Sequence, residues 1–247
     1  MDGSRRQYRQ LMRRAGFKAF TCRIKETDMY VAVDEASYCP QLERFVEQRV
    51  LYYRTLLEDF IAADPVFRTT LQPYLLSGPA PALVLDMVRA GNLAGVGPMA
   101  AVAGAIAEYV GRDLQPRVQQ VIVENGGDIY FSVRDAVKVG VYAGASPLSN
   151  RLAVAIAPQG HAFGVCTSSG TVGPSLSLGR ADAAMIIAPS AILADAAATA
   201  AGNRVQTAAD LEAALAWARQ IPGVSGVLLI KDDKLALWGE CRLVGSN

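Results

Sequence analysis

Histidine and cysteine, the side chains most used for zinc binding and nucleophilic catalysis, are sparse in this sequence. One histidine, His161, stands among 247 residues, so a Ser-His-Asp triad or a conventional zinc site is hard to build. We expect His161 at the surface, and Cys166 to be either a small buried apolar residue or a reactive thiol beside a polar turn. The cysteines are scattered without paired motifs or metal-ligand spacing: Cys22, Cys39, Cys166 and Cys241.

An excess of charge and a long apolar run are also missing. Lys and Arg number 24 against 23 Asp and Glu, which gives no reason to expect a nucleic-acid partner. The longest apolar run, Leu93 to Ala107, contains three glycines and a proline and is too short to span a membrane. No apolar segment follows the arginine-rich N-terminus, so we predict no secretory signal. We therefore expect a cytoplasmic protein with neither a membrane nor a nucleic-acid partner.

The order of predicted elements is that of an α+β fold. Apolar periodicity and turn residues predict helices at 42–60, 82–89, 98–110, within 189–203 and at 207–220, with Gly111 ending the third. They predict strands at 17–24, 29–34, 117–123, 129–133, 136–142, 152–157, 163–167, 183–188, 224–230 and 235–238. We predict a single domain over residues 1–247, with helices layered on one face of a largely antiparallel sheet.

The sequence is organised around the stretch from Gly164 to Asn203, which ends in an alanine-rich helix. Asp195 and Thr199 lie four residues apart in that helix and so share one face. Both residue types are poor choices for a helix interior, which suggests that something polar lies opposite them. That group is either a hydrogen-bonding partner within the protein or a ligand, for which magnesium would suit the two oxygens.

Two glycine-bearing turns carry further polar groups. Asn125-Gly126-Gly127-Asp128 lies between two apolar strands, where Asn-Gly favours a tight hairpin turn. Paired glycines also allow a backbone to approach a ligand. A second turn of Thr167, Ser168, Ser169 and Gly170 could hold phosphate oxygens with its hydroxyl and backbone N–H groups.

Taken together, these segments resemble the ApbE family of magnesium-dependent FAD:protein FMN transferases. Gly126-Gly127-Asp128, Cys166 to Gly170 and Ala194 to Ala200 match that family in type and order, and the resemblance extends over roughly residues 91–202. The sequence is most similar to an uncharacterised prokaryotic branch of the ApbE-like superfamily. The resemblance implies an α+β fold related to the T-fold.

The resemblance also implies ligands and site residues. It places Asp195 and Thr199 as side-chain ligands of Mg²⁺. It places FAD or FMN against the turn of Gly126, Gly127 and Asp128 and against the turn of Thr167, Ser168, Ser169 and Gly170. The implied partners are a flavin nucleotide and a target protein.

Two departures from the transferases bear on catalysis. Their Thr-Ser-Gly turn is followed by a His-x-x-Asp-Pro-x-Thr-Gly loop, which this sequence lacks after Gly170. Pro98 stands where the transferases usually offer a lysine. We therefore expect flavin binding with weak or altered transferase or pyrophosphatase chemistry, and we assign no catalytic residue.

Two other functions stay open at this point. The protein could be a non-enzymatic ApbE-like scaffold with an eroded site that serves as a binding module. Gly95-Val96-Gly97-Pro98-Met99-Ala100 also imitates the G-x-G-x-x-A motif of a Rossmann NAD-binding oxidoreductase, although no clear strand precedes it. In either case the strand edges of an open sheet need cover, which predicts a homodimer.

Overall fold

An eight-stranded sheet forms the centre of the molecule. The computed structural model describes residues 14–170 and 178–246. The strands of this sheet are β1 (Phe17–Ile24), β2 (Thr27–Asp34), β3 (Val121–Asn125), β4 (Asp128–Ser132), β7 (Phe163–Ser168), β8 (Ala183–Ala188), β9 (Gly226–Lys231) and β10 (Lys234–Gly239). They lie in that order, and every neighbouring pair is antiparallel. The predicted antiparallel sheet is confirmed.

The helices cover one face of this sheet, as the sequence predicted. They are α1 (Pro40–Ala63), α2 (Pro65–Thr69), α3 (Ala82–Ala94), α4 (Val102–Leu114), α5 (Ala191–Asn203) and α6 (Leu211–Ala218). Alternation along the strands divides the core in two. Met29 and Val31 of β2 pack with the helices, whereas Tyr30 and Ala32 belong to a second apolar cluster on the opposite face.

A small second sheet covers that opposite face. It consists of β5 (Val137–Gly140), β6 (Leu152–Ile156) and β11 (Arg242–Gly245), in the order β11-β6-β5. The sequence did not predict β11, a four-residue strand whose partner β6 lies far away along the chain. The α+β class is confirmed with this addition, while the assignment of residues 1–247 to one domain stays a prediction.

The helix predicted to end at Gly111 continues to Leu114 instead. Its first turn, Pro98–Ala101, is a 3-10 helix. Gly111 faces the ring of Tyr130 so closely that a Cβ there would lie 2.5 Å from the ring Cε1. This glycine therefore allows α4 to pack against β4, and it is not a helix terminator. The following strand begins at Val121 and not at 117, because Gln115–Arg117 is a second 3-10 turn.

The Rossmann interpretation is wrong. Gly95 follows a helix, α3, and ends it in the left-handed conformation with φ of 70°, whereas the dinucleotide motif must follow a strand. The sheet that would hold the motif is antiparallel, so it lacks the parallel βαβ unit.

No single helix in the described ranges is long and apolar enough to cross a membrane. Residues 82–94 and 98–117 meet that length and composition only as a pair, bent by 105°.

Candidate functional site

Four elements meet at one end of the large sheet and bring the predicted acidic residues together. Asp128, the first residue of β4, is paired with Cys166 of β7. The helix α5 lies over β7, and its Ala191 carbonyl accepts a hydrogen bond of 3.3 Å from the Cys166 thiol. The first turn of α4 completes the site from the side. We call Asp128, Asp195 and Thr199 the acidic cluster.

The β3–β4 turn is held rigid from both sides. Gly126 and Gly127 have φ of 72° and 109°, a conformation that favours glycine, and the predicted hairpin turn is therefore present. The buried carboxylate of Glu124 accepts a 2.8 Å hydrogen bond from the Gly127 N–H. Asn125 donates through Nδ2 to the Ala103 carbonyl at 3.1 Å. The turn is thus tied to the start of α4.

Asp195 is fixed against the start of α4. Its Oδ2 accepts a 2.8 Å hydrogen bond from the Gly104 N–H, and only 8% of the residue is exposed. The helix that carries it is capped at its N-terminus by Ser190, whose hydroxyl oxygen accepts from the N–H groups of Ile192 and Leu193, as expected of a serine N-cap. The polar group opposite Asp195 is therefore, at least in part, a helix N-terminus of the protein itself.

Burial dominates the electrostatics of the cluster. It raises the pKa of Asp195 to about 7, although the N–H groups of Gly104 and Ala103 act to lower it. Burial also raises the pKa of Asp128 well above its ordinary range, and the negative charge of Asp195 adds to this rise. Two carboxylates close together in a buried place cannot both ionise cheaply. A cation between them would remove this penalty.

Cys166 is a buried thiol in this setting. Burial raises its pKa, and the charges of Asp128 and Asp195 act in the same direction. A protonated thiol is a poor nucleophile, which favours the apolar role over the reactive one. His161 is exposed, as the sequence predicted.

The second predicted turn begins later than expected. β7 continues through Ser168, and Thr167 and Ser168 are paired with Met185 and Ala184 of β8. The N–H of Gly170 donates to the Ala181 carbonyl at 2.9 Å, so that donor is already engaged within the protein. Ser169 and the side chains of Thr167 and Ser168 are half-buried.

Glycines bring the segment after β7 against the end of α5. A Cβ on Gly170 would lie 2.8 Å from the Gly179 carbonyl carbon, and one on Gly179 would lie 2.7 Å from the Gly202 carbonyl carbon. Leu178 donates its N–H to the Asn203 side chain at 2.9 Å. These contacts place Gly170 beside the C-terminal end of the helix that carries the acidic cluster.

The acidic cluster offers carboxylate and hydroxyl oxygens, the ligand atoms that magnesium prefers, from three side chains. Within the described parts of the chain, no three Asp, Glu, His or Cys side chains group so that they could hold a metal by themselves. Mg²⁺ commonly uses one or two carboxylates and completes its shell with water and substrate phosphates. Two carboxylates and the half-buried Thr199 hydroxyl on the next turn of α5 fit that pattern.

The sequence analysis missed several residues that build the site. The sequence analysis treated Asn125 only as a turn residue, and its contact with α4, like that of Gly104 with α5, is seen only in the structure. Ser190 could have been recognised as an N-cap before the alanine-rich helix. Glu108 is only 1% exposed in the structure. In the sequence it is a lone carboxylate in a segment of small residues, and that pattern could have indicated a buried polar role.

A separate cavity of about 640 Å³ lies beside the small sheet. It shares no residue with the acidic cluster. Its lining consists mainly of Ala136, residues 155–159 and residues 240–242.

Comparison with known proteins identifies the family. A family model described as AbpE bacteria matches residues 9–237. A UPF0280 protein from Methanosarcina acetivorans is 41% identical over 219 residues, covering 88% of this chain and 85% of its own. Another from Methanothrix thermoacetophila is 47% identical over 189 residues, covering 76% and 79%.

Solved structures share the fold at much lower identity. The flavinyl transferase ApbE of Pseudomonas stutzeri, in its apo form, is similar with a TM-score of 0.55 and 14% identity, covering 90% of this chain and 94% of that one. The ApbE protein of Thermotoga maritima is similar with a TM-score of 0.54 and 12% identity, covering 91% and 97%. At these identities the likeness concerns the fold alone. Because the family model spans most of the sequence and the UPF0280 relatives align over most of both chains, this chain belongs to the ApbE-like family described as AbpE bacteria.

Proposed function

We propose that this protein binds a flavin nucleotide, FAD or FMN, together with Mg²⁺ at the acidic cluster. The observation that carries the proposal is the pair of buried carboxylates, Asp128 and Asp195, whose pKa values are both raised. A buried pair of like charges is costly, and functional sites are where such costs concentrate. A divalent cation offsets the cost directly.

Asp195 and Thr199 would hold the metal, with Asp128 beside it. Bound Mg²⁺ would neutralise the negative charge of a nucleotide pyrophosphate and polarise its oxygens. The protein's own contribution is to keep the carboxylates in place, through the Gly104 N–H and the start of α5, and to limit the access of water through their burial.

The flavin would lie over the β3–β4 turn and the end of β7. The turn of Gly126 and Gly127 leaves its outer side open, since nothing lies within 4 Å of a Cβ placed on Gly126. Thr167, Ser168, Ser169 and Gly170 follow Cys166, the strand partner of Asp128, and the hydroxyl groups of this segment are the ones that we assign to phosphate oxygens. The likeness of the fold to flavin transferases supports this choice of ligand.

A titration of FAD with and without Mg²⁺, followed by flavin fluorescence, tests the proposal. We expect saturable binding that depends on Mg²⁺ and is reversed by a chelator. The proposal fails if no binding is seen at about 1 mM FAD, which corresponds to only about 4 kcal/mol of binding free energy.

We further propose that transfer of FMN to a protein is weak or absent and that any enzymatic activity is an altered transferase or pyrophosphatase reaction. In transfer, the acceptor hydroxyl oxygen bonds to the FMN-side phosphorus, the bond from that phosphorus to the bridging oxygen breaks, AMP leaves with the bridging oxygen, and the hydroxyl proton is released. The sequence lacks the His-x-x-Asp-Pro loop of the transferases. Incubation with FAD, Mg²⁺ and an acceptor peptide should give little covalent FMN by mass spectrometry; efficient labelling would contradict this part.

The alternative is a non-enzymatic scaffold of the same family, with a target protein as its partner. The engaged Gly170 N–H favours it, because that donor is not free to bind phosphate. Normal folding without flavin or Mg²⁺ binding would favour this alternative. In both cases we propose a cytoplasmic homodimer that binds neither nucleic acid nor a membrane.

A further inference from the structure

The helices α4 and α5 hold each other through a reciprocal pair of carboxylates. Asp195 of α5 accepts from the Gly104 N–H in the first turn of α4 at 2.8 Å. Glu108 of α4 accepts from the Ile192 N–H in the first turn of α5 at 3.1 Å, and from the Ser190 hydroxyl at 2.8 Å. Each carboxylate thus stabilises the positive end of the other helix.

The two helices are too close to shift without breaking these contacts. A Cβ on Gly104 would lie 2.8 Å from the Asp195 Cβ and 2.9 Å from the Ala191 carbonyl carbon. Glu108 is 1% exposed, so it is shielded from the water that could replace its partners. Loss of one contact therefore leaves donors that must find new partners by movement of the helix.

Glu108 is itself held from the outer side of α4. Its Oε1 forms an ion pair with Arg112, one helical turn further on. The guanidinium of Arg112 also lies 3.8 Å from Asp86 of α3, and Asp86 accepts a 2.8 Å hydrogen bond from the Tyr109 hydroxyl. One oxygen of Glu108 therefore contacts Arg112, which connects α4 to α3, and the other oxygen contacts the start of α5.

We infer that Glu108 is a positioning residue for the metal and nucleotide site: it fixes the start of α5, and through α5 the placement of Asp195 and Thr199. The inference rests on the proposed function for its link to metal binding. Glu108 does not belong to the acidic cluster. Its effect passes along about two turns of one rigid helix, and we expect its removal to lower the metal affinity by about tenfold, the lower end of the range for groups bonded directly to metal ligands.

Glu108→Gln tests the inference. The amide keeps the size of the side chain but loses the charge, and its NH₂ group must face either Arg112 or the donors of Ser190 and Ile192. We expect the Mg²⁺ affinity, measured in the FAD titration, to fall by about tenfold or more. We also expect the methyl resonance of Thr199, seven residues from Ile192 on α5, to shift in the NMR spectrum of the ligand-free protein.

Asp34→Asn is the matched control. Asp34 is also a buried carboxylate, 7% exposed, and accepts from the N–H groups of Gln119 and Gln120 at 2.9 Å each. It lies at the opposite end of β2 from Met29, which is paired with Asn125 beside the acidic cluster. We expect this variant to lower the melting temperature while the Mg²⁺ affinity and the Thr199 resonance stay at their wild-type values.

The outcomes separate the two proposals. A wild-type protein that binds no flavin with Mg²⁺ overturns the proposed function. In that case the shift of the Thr199 resonance in Glu108→Gln decides by itself whether Glu108 fixes the position of α5. A wild-type protein that binds, with a Glu108→Gln variant that keeps its Mg²⁺ affinity within twofold or leaves the Thr199 resonance unmoved, overturns the positioning role. In that case Glu108 stabilises the fold without placing the site.

Discussion

Asp128 and Asp195 lie on different elements of the chain, and different contacts fix their positions in the acidic cluster. Asp128 is fixed by the register of β4 on β7, whereas Asp195 is fixed by the contact of α5 with the first turn of α4. Their proximity is therefore a property of how a helix packs on a sheet. A single side-chain change at either position tests the site without altering that packing.

Asp195→Asn should separate binding from stability. The amide oxygen can still accept the Gly104 N–H, while the repulsion with Asp128 disappears. We expect the affinity for FAD in the presence of Mg²⁺ to fall by at least about tenfold, which is about 1.4 kcal/mol. The melting temperature at pH 8 should be unchanged or slightly raised. A loss of about 1–3 kcal/mol of stability with wild-type affinity would show that Asp195 is structural.

Thr199→Val extends that test one helical turn along α5. It removes a half-buried hydroxyl and keeps the shape of the side chain. We expect weaker Mg²⁺-dependent FAD binding and little change in melting temperature, both measured beside Asp195→Asn. Equal affinity of the variant and the wild type would remove Thr199 from the proposed ligand set.

The raised pKa of Asp195 predicts a dependence of stability on pH. Its ordinary value is 3.8 and its folded value is about 7, so the folded protein binds a proton that the unfolded chain releases between these values. The stability from this proton is present below about pH 4 and is lost as the pH rises through about 7. The melting temperature of the Mg²⁺-free protein should therefore fall from pH 5 to pH 8.

Two comparisons check the source of that fall. In Asp195→Asn the fall should be smaller, because the titrating carboxyl is gone. Added Mg²⁺ at pH 8 should raise the melting temperature of the wild type by binding the ionised carboxylates. An identical fall in the variant and the wild type would assign the effect to other groups.

At the scale of elements, the contact of α5 with β7 positions the site. Gly164 of β7 lies directly under Ala191, the first residue of α5, where an added Cβ would be 2.5 Å from the Ala191 nitrogen. The small alanine side chains of α5 allow the helix to pack close to β7, and the absence of a side chain at Gly164 leaves room for Ala191. Together they bring Cys166 and Asp128 under the helix that carries Asp195.

Gly164→Ala should therefore displace α5. We expect a loss of stability of about 1–3 kcal/mol, typical of overpacking, together with a lower Mg²⁺ affinity. Gly140→Ala in β5 is the control, because nothing lies within 4 Å of a Cβ placed there and its φ is not positive. Urea unfolding gives the stabilities; equal stability of Gly164→Ala and the wild type would contradict the proposed contact.

At the scale of the whole molecule, both sheets have edge strands among the described residues. In the described structure the large sheet ends at β1 and β10, and the small sheet ends at β5 and β11. β1 has eight residues, and no strand within residues 14–170 and 178–246 pairs with its outer side; an edge strand of this kind can pair with another chain. We expect a homodimer, the commonest closed assembly, with twice the mass of one chain by light scattering at micromolar concentration. A monomer under those conditions would contradict this prediction.

The sequence by itself determined the type and order of most elements, because these depend on local periodicity, turn residues and caps. The tight turn at Gly126 and Gly127 and the face shared by Asp195 and Thr199 follow from such local rules. The ordered motifs also identified the family. The prediction for Gly111 was wrong because the local sequence cannot distinguish a glycine that ends a helix from one that lets an aromatic ring pack against the helix.

Only the tertiary structure decided what lies opposite Asp195 and which residues hold it. The Gly104 N–H reaches Asp195 from α4. Asn125 and Glu108 likewise hold the surrounding elements through the Ala103 carbonyl and the start of α5. No local pattern records contacts between residues so distant in sequence. The same holds for β11, whose four residues form a strand because β6 offers them an edge. Burial, which raises the pKa values of Asp128 and Asp195, is a property of the packed whole, so the electrostatic character of the site exists only in the folded chain.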